Sequence, residues 1–156
     1  MRRSLASLAL IQRESAGQTL TLVQWNANWK RFSLVGGHKH DDETFRECLI
    51  RELAEELGLR GDTDLAVSEQ PIIQTEYTCW SESARQDTSY EIELFDVAIL
   101  TQSARQQVDG NPLNCWVSHT EILAGYCGAG RPIDGSAERL MRLAGVLVSH
   151  ESTTAT

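Results

Sequence analysis

The sequence is short of positive charge, and this shortage limits the partners that the protein can have. Fourteen Lys and Arg residues face 22 Asp and Glu residues, which gives a formal net charge of −8 over 156 residues. A surplus of negative charge repels phosphate backbones and anionic lipids, so we expect no bulk nucleic acid partner and no membrane partner. A small anionic substrate stays compatible with this charge, because a bound metal ion reverses its sign locally.

Long apolar runs and paired cysteine motifs are also missing. No stretch approaches the roughly 18 apolar residues that a membrane-spanning helix needs. The four cysteines, at positions 48, 79, 115 and 127, form no C-x-x-C pair, which argues against structural zinc and against a disulfide framework. We therefore expect reduced thiols in a cytoplasmic protein, with one domain over residues 1–150 and a flexible tail over residues 151–156.

The chain alternates strand-like and helix-like segments. Patterning predicts strands at 5–11, 19–25, 32–35 and 116–117, β-rich segments at 65–78 and 90–100, helices at 45–57 and 137–148, and a loop at 106–114. Strands mixed with two helices are typical of a layered α/β domain.

The helix predicted over residues 45–57 has clear ends and an acidic face. Thr44 and Glu47 fit a capping box, so the helix should begin at Phe45. Gly58 fits the left-handed position that ends a helix. The spacing i, i+3, i+4 gathers three glutamates, roughly opposite the leucine face and with Arg51 beside them: Glu52, Glu55 and Glu56.

An acidic helix face has two interpretations. It is ordinary as a solvated surface, because like charges at i, i+4 cost a helix only about 0.2–0.5 kcal/mol per pair. It also suits Mg²⁺, which prefers carboxylate and carbonyl oxygens and keeps waters and phosphate oxygens as its other ligands. The helix alone leaves both interpretations open.

Residues 37–59 resemble the Nudix box, G-x5-E-x7-R-E-U-x-E-E-x-G-U, in which U is aliphatic. Every fixed position is filled, by Gly37, Glu43, Arg51, Glu52, Leu53, Glu55, Glu56, Gly58 and Leu59. The resemblance implies a single-domain α/β/α sandwich around a mixed β-sheet. It also implies hydrolysis of a nucleoside diphosphate linked to another moiety, with Mg²⁺ as cofactor and Mn²⁺ as an alternative. The substrate class is left open among nucleoside triphosphates, dinucleoside polyphosphates and nucleotide sugars.

The resemblance also implies roles for the box residues. Glu52 and Glu56 would be the principal metal ligands, and the Gly37 carbonyl would complete the shell. Glu55 would be a further ligand or orient a metal-bound water. Arg51 would position the glutamates, and Glu43 would support the site from the loop side. The catalytic set is therefore Glu52, Glu55, Arg51 and Glu43, and the metal set is Glu52, Glu55, Glu56 and Gly37.

Residues outside the fixed box positions are harder to assign. Asp109 is the first candidate for the general base and Glu93 the second, with a plain surface acid as the alternative for each. His38 and Lys39 are candidate phosphate contacts. Tyr77 is a candidate platform for a nucleotide base, although a tyrosine in a β-rich segment is more often a packing residue. The other candidates of this kind are Trp25, Trp29, Trp80 and Tyr126. A non-catalytic nucleotide-sensing module is the alternative function, and a homodimer is left open.

Overall fold

A computed structural model describes residues 2–128 and 130–147 of the chain. Its strands are β1 (Arg2–Ser15), β2 (Gln18–Asn26), β3 (Arg31–Ser33), β4 (Gly36–His38), β5 (Leu65–Val67), β6 (Ile73–Ser81), β7 (Gln86–Ile99), β8 (Asn114–Ser118), β9 (Tyr126–Cys127) and β10 (Arg131–Pro132). Its helices are α1 (Phe45–Leu57), α2 (Gln102–Gly110), α3 (His119–Ala124) and α4 (Gly135–Leu143).

Strand β1 organises the main sheet because it pairs with three other strands. It runs parallel to β7 and antiparallel to β2 and β4. The strand order is β3-β2-β1-β7-β5, with β4 added to β1, β6 to β7 and β8 to β2, which gives a mixed sheet of eight strands. The chain between β1 and β7 includes α1, so this parallel pair has the long crossover that parallel strands require.

Helices cover both faces of this sheet. Successive residues of a strand point to opposite faces, and β1 shows this directly: Ile11 packs in the core under α1 and α2, whereas Leu10 packs in the core under α3 and α4. Leu53 of α1 and Leu140 of α4 are fully buried in these two cores. The predicted α/β/α sandwich around a mixed sheet, in a single domain, is confirmed.

Two expectations about helices are wrong. Residues 2–128 and 130–147 contain four helices where two were expected, and residues 106–110 of the predicted loop belong to α2. The Asp109-Gly110 pair is typical of a turn, but tertiary burial of Ala104 and Val108 outweighs this local preference. The hydroxyl of Thr101 accepts a hydrogen bond from Ala104 N and starts the helix.

The carboxyl-terminal helix also differs from its expected bounds. Helix α4 begins at Gly135, capped by Asp134, and ends at Leu143, whereas residues 137–148 were expected. The predicted tail at residues 151–156 lies outside the described residues. Within residues 2–128 and 130–147, every helix is too short or too polar to span a membrane.

Candidate active site

Helix α1 has the ends that the sequence predicts. The Thr44 hydroxyl accepts a hydrogen bond from Glu47 N at 3.1 Å, and the Glu47 carboxylate accepts one from Thr44 N at 2.9 Å. At the other end Gly58 takes a left-handed conformation with φ +70°, which glycine adopts without the steric cost of a Cβ. The capping box and the terminal glycine fix the helix, and with it the glutamates it carries.

The glutamates do not all share one solvent-facing side. Glu52 is 9% exposed, whereas Glu55 and Glu56 are exposed. The expected arrangement is therefore wrong for Glu52. The reason is angular, since Glu52 lies three residues after Leu49, which at about 100° per residue places it only about 60° from the buried leucine stripe.

Glu52 lies directly against the segment that precedes the helix, residues 36–44, which includes β4 and is called the Gly37 loop below. Strand β4 pairs with β1 so that Gly37 is opposite Ser7. A Cβ added to Gly37 would lie 2.5 Å from the carboxylate carbon of Glu52. Only glycine leaves room for this carboxylate beside the backbone, which explains why the first box position is a glycine.

Arg51 joins the acidic residues of the box into one network. Its guanidinium donates two hydrogen bonds to Glu43, at 2.7 and 3.0 Å, and one to the His38 carbonyl at 2.9 Å. It also donates to Glu52 Oε1 at 3.0 Å and to Glu55 Oε1 at 3.3 Å. A planar fork of donors can contact several carboxylates at once, so one arginine connects the loop to the helix.

The charges in this network shift the pKa values of its members. The Arg51 guanidinium, together with the backbone N–H of His40, lowers the pKa of Glu43 from 4.5 to about 2. The same hydrogen bond to Glu43 is the main reason why the pKa of Arg51 is raised. For Glu56, burial raises the pKa, and repulsion from Glu52 and Glu55 adds to the effect. The Glu56 carboxylate is thus repelled by Glu52 and Glu55, and a bound cation would relieve this repulsion.

The donor set at this point fits a hard divalent cation. Glu52 and Glu56 lie one helical turn apart, and Glu52 also contacts the Gly37 loop. Carboxylate and carbonyl oxygens are the ligands that Mg²⁺ and Mn²⁺ prefer. Among the described residues, no group of three His, Cys, Asp or Glu side chains is already arranged around one cation position. Arg51 accounts for this, because it holds Glu52 and Glu55 on its own guanidinium.

Asp109 is not brought to this site. It sits near the end of α2, where its carboxylate accepts hydrogen bonds from Trp116 Nε1 at 2.8 Å and from Arg13 at 3.2 Å. Arg13 lies six residues beyond Ser7 along β1, a span of about 20 Å in an extended strand. The partners of Asp109 therefore hold it at the opposite end of β1 from Gly37.

Glu93 lies much closer to the Gly37 loop. It pairs with Ser7 across the β1–β7 ladder, and Ser7 pairs with Gly37 on its other side. Two strand spacings separate Glu93 from Gly37, or about 10 Å. Burial raises the pKa of Glu93, and repulsion from Glu91 adds to this. Glu93 also lines a shallow cavity of about 380 Å³ beside the first turn of α1.

Tyr77 lies on the other face of the sheet from the box glutamates. It pairs with Tyr90 across the β6–β7 hairpin, and the two rings stack with centroids 5.2 Å apart. The guanidinium of Arg139 lies 4.0 Å from the centroid of Tyr77. The tyrosine packs against the core under α3 and α4, so the structure does not bring it to Glu52.

The two candidate phosphate contacts, His38 and Lys39, directly follow Gly37 in the chain. The side chain of His38 lies 3.1 Å from the Ser4 hydroxyl and is otherwise exposed. Lys39 donates to the His40 carbonyl at 3.1 Å. His38 pairs with Ala6, which packs against the core under α3 and α4, so the His38 side chain points to the other face of the sheet from Glu52. Lys39 is half-buried.

The tryptophans and Tyr126 lie elsewhere. Trp25 packs edge-on against Phe32, with centroids 5.2 Å apart, and the guanidinium of Arg131 covers it at 4.7 Å. The remaining candidate platforms are exposed large side chains: Trp29, Trp80 and Tyr126. No contact in the described residues connects any of these rings to the Gly37 loop.

Sequence reasoning missed three residues that support the box. Cys48 is fully buried, and its thiol donates a hydrogen bond to the Gly37 carbonyl oxygen, with the sulfur and oxygen atoms 3.6 Å apart. Gln24 donates to the Glu56 carbonyl at 3.1 Å, and Gln107 donates to the Leu57 carbonyl at 3.1 Å. Cys48 had a signal in the sequence, since it precedes Glu52 by four residues and shares its face. The two glutamines had no such signal, because β2 and α2 come next to the end of α1 only when the tertiary fold is formed.

Comparison with known proteins agrees with this fold. A family model described as NUDIX domain matches residues 2–133. The fold is similar to Ap4A hydrolase from C. elegans, with 15% identity, a TM-score of 0.54, and coverage of 99% of this chain and 100% of that one. It is similar to RenU, a Nudix hydrolase from M. smegmatis, with 17% identity, a TM-score of 0.57, and coverage of 97% and 92%. The NUDIX domain of Shewanella oneidensis NrtR complexed with ADP ribose has 16% identity, a TM-score of 0.60, and coverage of 93% and 88%.

Proposed function

The chain belongs to the Nudix hydrolase family, and from this we propose that it hydrolyses a nucleoside diphosphate linked to another moiety, with Mg²⁺ as cofactor. The family prediction made from the box is confirmed by the match over residues 2–133. The observation that carries the proposal is the placement of Glu52 against the Gly37 loop, with Arg51 linking Glu43, Glu52 and Glu55.

The chain's own residues have distinct parts in this proposal. Glu52, Glu56 and the Gly37 carbonyl would hold the ion, with Glu55 as a further ligand or as the group that orients a water. A divalent ion, when bound, would neutralise the diphosphate and lower the pKa of a water. Arg51 positions Glu52 and Glu55 through its hydrogen bonds, and Glu43 fixes Arg51 in turn. Mn²⁺ is the alternative ion.

We assign the general base to Glu93 rather than to Asp109. A base must lie within hydrogen-bond reach of the proton that it takes, directly or through one water. Glu93 lies in the same row of the sheet as Gly37, and its raised pKa brings it closer to the range of an effective base. Asp109 is engaged by Arg13 and Trp116.

The substrate is a small nucleotide that carries a diphosphate. Ap4A hydrolase and the NUDIX domain bound to ADP ribose are relatives whose names point to dinucleoside polyphosphates and to ADP ribose. We keep three classes for this chain: nucleoside triphosphates, dinucleoside polyphosphates and nucleotide sugars. We keep Lys39 as a proposed phosphate contact, whereas the side chain of His38 points to the other face of the sheet from Glu52. The net charge of −8 supports a small-molecule partner over bulk nucleic acid.

Product detection after incubation with a mixed nucleotide panel and Mg²⁺ tests the proposal. We expect turnover of one class by the wild type and loss of turnover in Glu56→Gln. Glu82→Gln is the matched control, because it makes the same chemical change at an exposed residue of the β6–β7 turn. Saturable nucleotide binding without product would favour the alternative, a nucleotide-sensing module.

A further inference from the structure

Strand β6 is an unusually long open edge of the main sheet. Its nine residues, Ile73–Ser81, pair with β7 on one side. No backbone hydrogen bond from the rest of the described chain reaches its other side. The other strands that pair with one neighbour in the main sheet have three to five residues. An open strand edge of this length offers a row of free N–H and C=O groups to a second strand.

The features that usually protect such an edge are missing from β6. Its sequence contains no proline, lysine or arginine, which are the residues that block pairing of exposed edges. Its single charge, Glu76, accepts a hydrogen bond from Ser89 of the neighbouring strand at 3.1 Å. The edge is thus left available for pairing, and the described residues contain nothing that covers it.

We propose that this edge forms a homodimer, in which β6 pairs antiparallel with β6 of a second copy around a two-fold axis at Tyr77. In this register Thr75 faces Cys79 of the other copy, and Glu76 faces Thr78. No two like charges lie directly opposite. The two copies of Glu76 are diagonal neighbours, and each accepts a hydrogen bond from Ser89 of its own chain. A two-fold interface needs one surface that complements itself, and this strand meets that condition.

The same register covers two exposed apolar side chains. Trp80 is 55% exposed and Ile72 is 36% exposed, and they lie at opposite ends of the open edge. Trp80 faces Gln74 of the second copy, so Ile72 of that copy is its diagonal neighbour on the same face of the sheet. Diagonal neighbours lie about 7–8 Å apart, within reach of an aromatic ring. The two-fold axis repeats this contact at both ends of the interface.

The dimer leaves the Gly37 loop of both copies open. Across the joined sheet the strands would run β4-β1-β7-β6 and then β6-β7-β1-β4 of the second copy. Each Gly37 loop therefore stays at an outer edge, three strands from the interface, whereas Glu93 pairs with Gln74 and lies one strand from it. Sedimentation measures the interface without any turnover, so the test of the interface is separate from the test of the proposed function.

Sedimentation velocity over a concentration series tests the interface. We expect the wild type to shift from monomer to dimer as concentration rises, and Trp80→Lys to stay monomeric, because a charge on the edge opposes pairing. Trp29→Lys is the matched control, since Trp29 is 57% exposed in the β2–β3 turn, and it should dimerise as the wild type does. A wild type that is monomeric throughout, or a dimer equally stable in Trp80→Lys, would overturn the proposal.

The register has its own test, which uses the exposed thiol of Cys79. In Thr75→Cys, the new thiol faces Cys79 of the second copy, and facing residues have Cβ atoms about 4.5–5.5 Å apart. Diamide would take two electrons and two protons from each thiol pair and join the chains by two disulfides. We expect a covalent dimer in Thr75→Cys and none in the double variant Thr75→Cys/Cys79→Ser. A disulfide-linked dimer of the wild type would instead place the axis at Cys79 and overturn this register.

Discussion

The carboxylate of Glu52 lies against the backbone of Gly37, so close that a Cβ there would come within 2.5 Å of its carboxylate carbon. This contact joins the acidic helix to the loop and places a carboxylate beside the Gly37 backbone. It also explains in steric terms why the spacing between these two box positions matters.

Gly37→Ala should therefore displace Glu52 and impair catalysis with little loss of fold. A shift of about 1 Å in a positioning group can cost about 100-fold in rate, and we expect a loss of that order in kcat/KM. Gly110→Ala is the control, because a Cβ at Gly110 meets no atom within 4 Å. Equal kcat/KM in both variants would show that the contact is irrelevant to activity.

Arg51→Lys should lower activity although the charge is kept. Lysine cannot reproduce the fork that contacts Glu43, Glu52 and Glu55 together. Loss of groups that orient metal ligands costs about 10–100-fold in metal affinity or activity. The measurement is the Mn²⁺ dissociation constant by electron paramagnetic resonance, with kcat/KM beside it. Arg142→Lys, at an exposed ion pair of α4, is the control; a wild-type Mn²⁺ affinity in Arg51→Lys would contradict the positioning role.

Chelation should remove activity and lower the melting temperature. An ion that binds the folded state alone stabilises it by about 2.7 kcal/mol at 100 times its dissociation constant. We expect saturating Mg²⁺ to raise the melting temperature of the wild type after treatment with EDTA, and to leave that of Glu56→Gln nearly unchanged. The readout is differential scanning calorimetry. An equal Mg²⁺ effect on both proteins would place the ion elsewhere.

Glu93→Gln and Asp109→Asn should separate the two candidate bases. Loss of a general base costs about 10²–10⁴-fold in rate, and we expect that loss in Glu93→Gln. Asp109→Asn weakens an exposed ion pair with Arg13, which is worth at most about 1 kcal/mol of stability, and should leave kcat unchanged. Steady-state kinetics of the two isosteric variants measures this. A loss of rate in Asp109→Asn with unchanged kcat in Glu93→Gln would identify Asp109 as the base.

The difference in unfolding free energy between Glu93→Gln and the wild type should depend on pH. The pKa of Glu93 is raised by burial and by Glu91, so the folded state favours the protonated form. Its ionised form costs stability above the unfolded pKa of about 4.3, and that cost disappears as the pH falls through the raised value and below it. We expect Glu93→Gln to be more stable than the wild type at pH 7.5 and to match it near pH 4. Urea unfolding at both pH values measures this, and a difference that grows towards low pH would have the wrong sign.

Local signals in the sequence were sufficient for helix α1 and the residues that it carries. Thr44, Glu47 and Gly58 define its ends through hydrogen bonds and backbone conformations that act within a few residues. The contacts of Arg51 also follow from short spacing, since Glu52 and Glu55 lie on neighbouring helical positions. These features need no knowledge of the rest of the fold.

Contacts between residues that are far apart in the sequence could not be predicted from local signals. Asp109 looked like a loop acid because Asp-Gly favours turns, yet burial of Ala104 and Val108 extends α2 to it. The proximity of Glu93 to Gly37 depends on the register of both with Ser7, which is a property of the assembled sheet. Tyr77 was located in the correct β-rich segment, but its face of the sheet follows from pairing with Tyr90.

Hydrolysis in water enriched in oxygen-18 tests the central claim most directly. The wild type, given the substrate identified from the nucleotide panel and Mg²⁺, should release phosphate products in which one oxygen comes from the labelled water. Glu56→Gln should release almost none, and Glu82→Gln should match the wild type. Equal uptake of label by Glu56→Gln, or products without label, would contradict hydrolysis at the site formed by Gly37, Glu52 and Glu56.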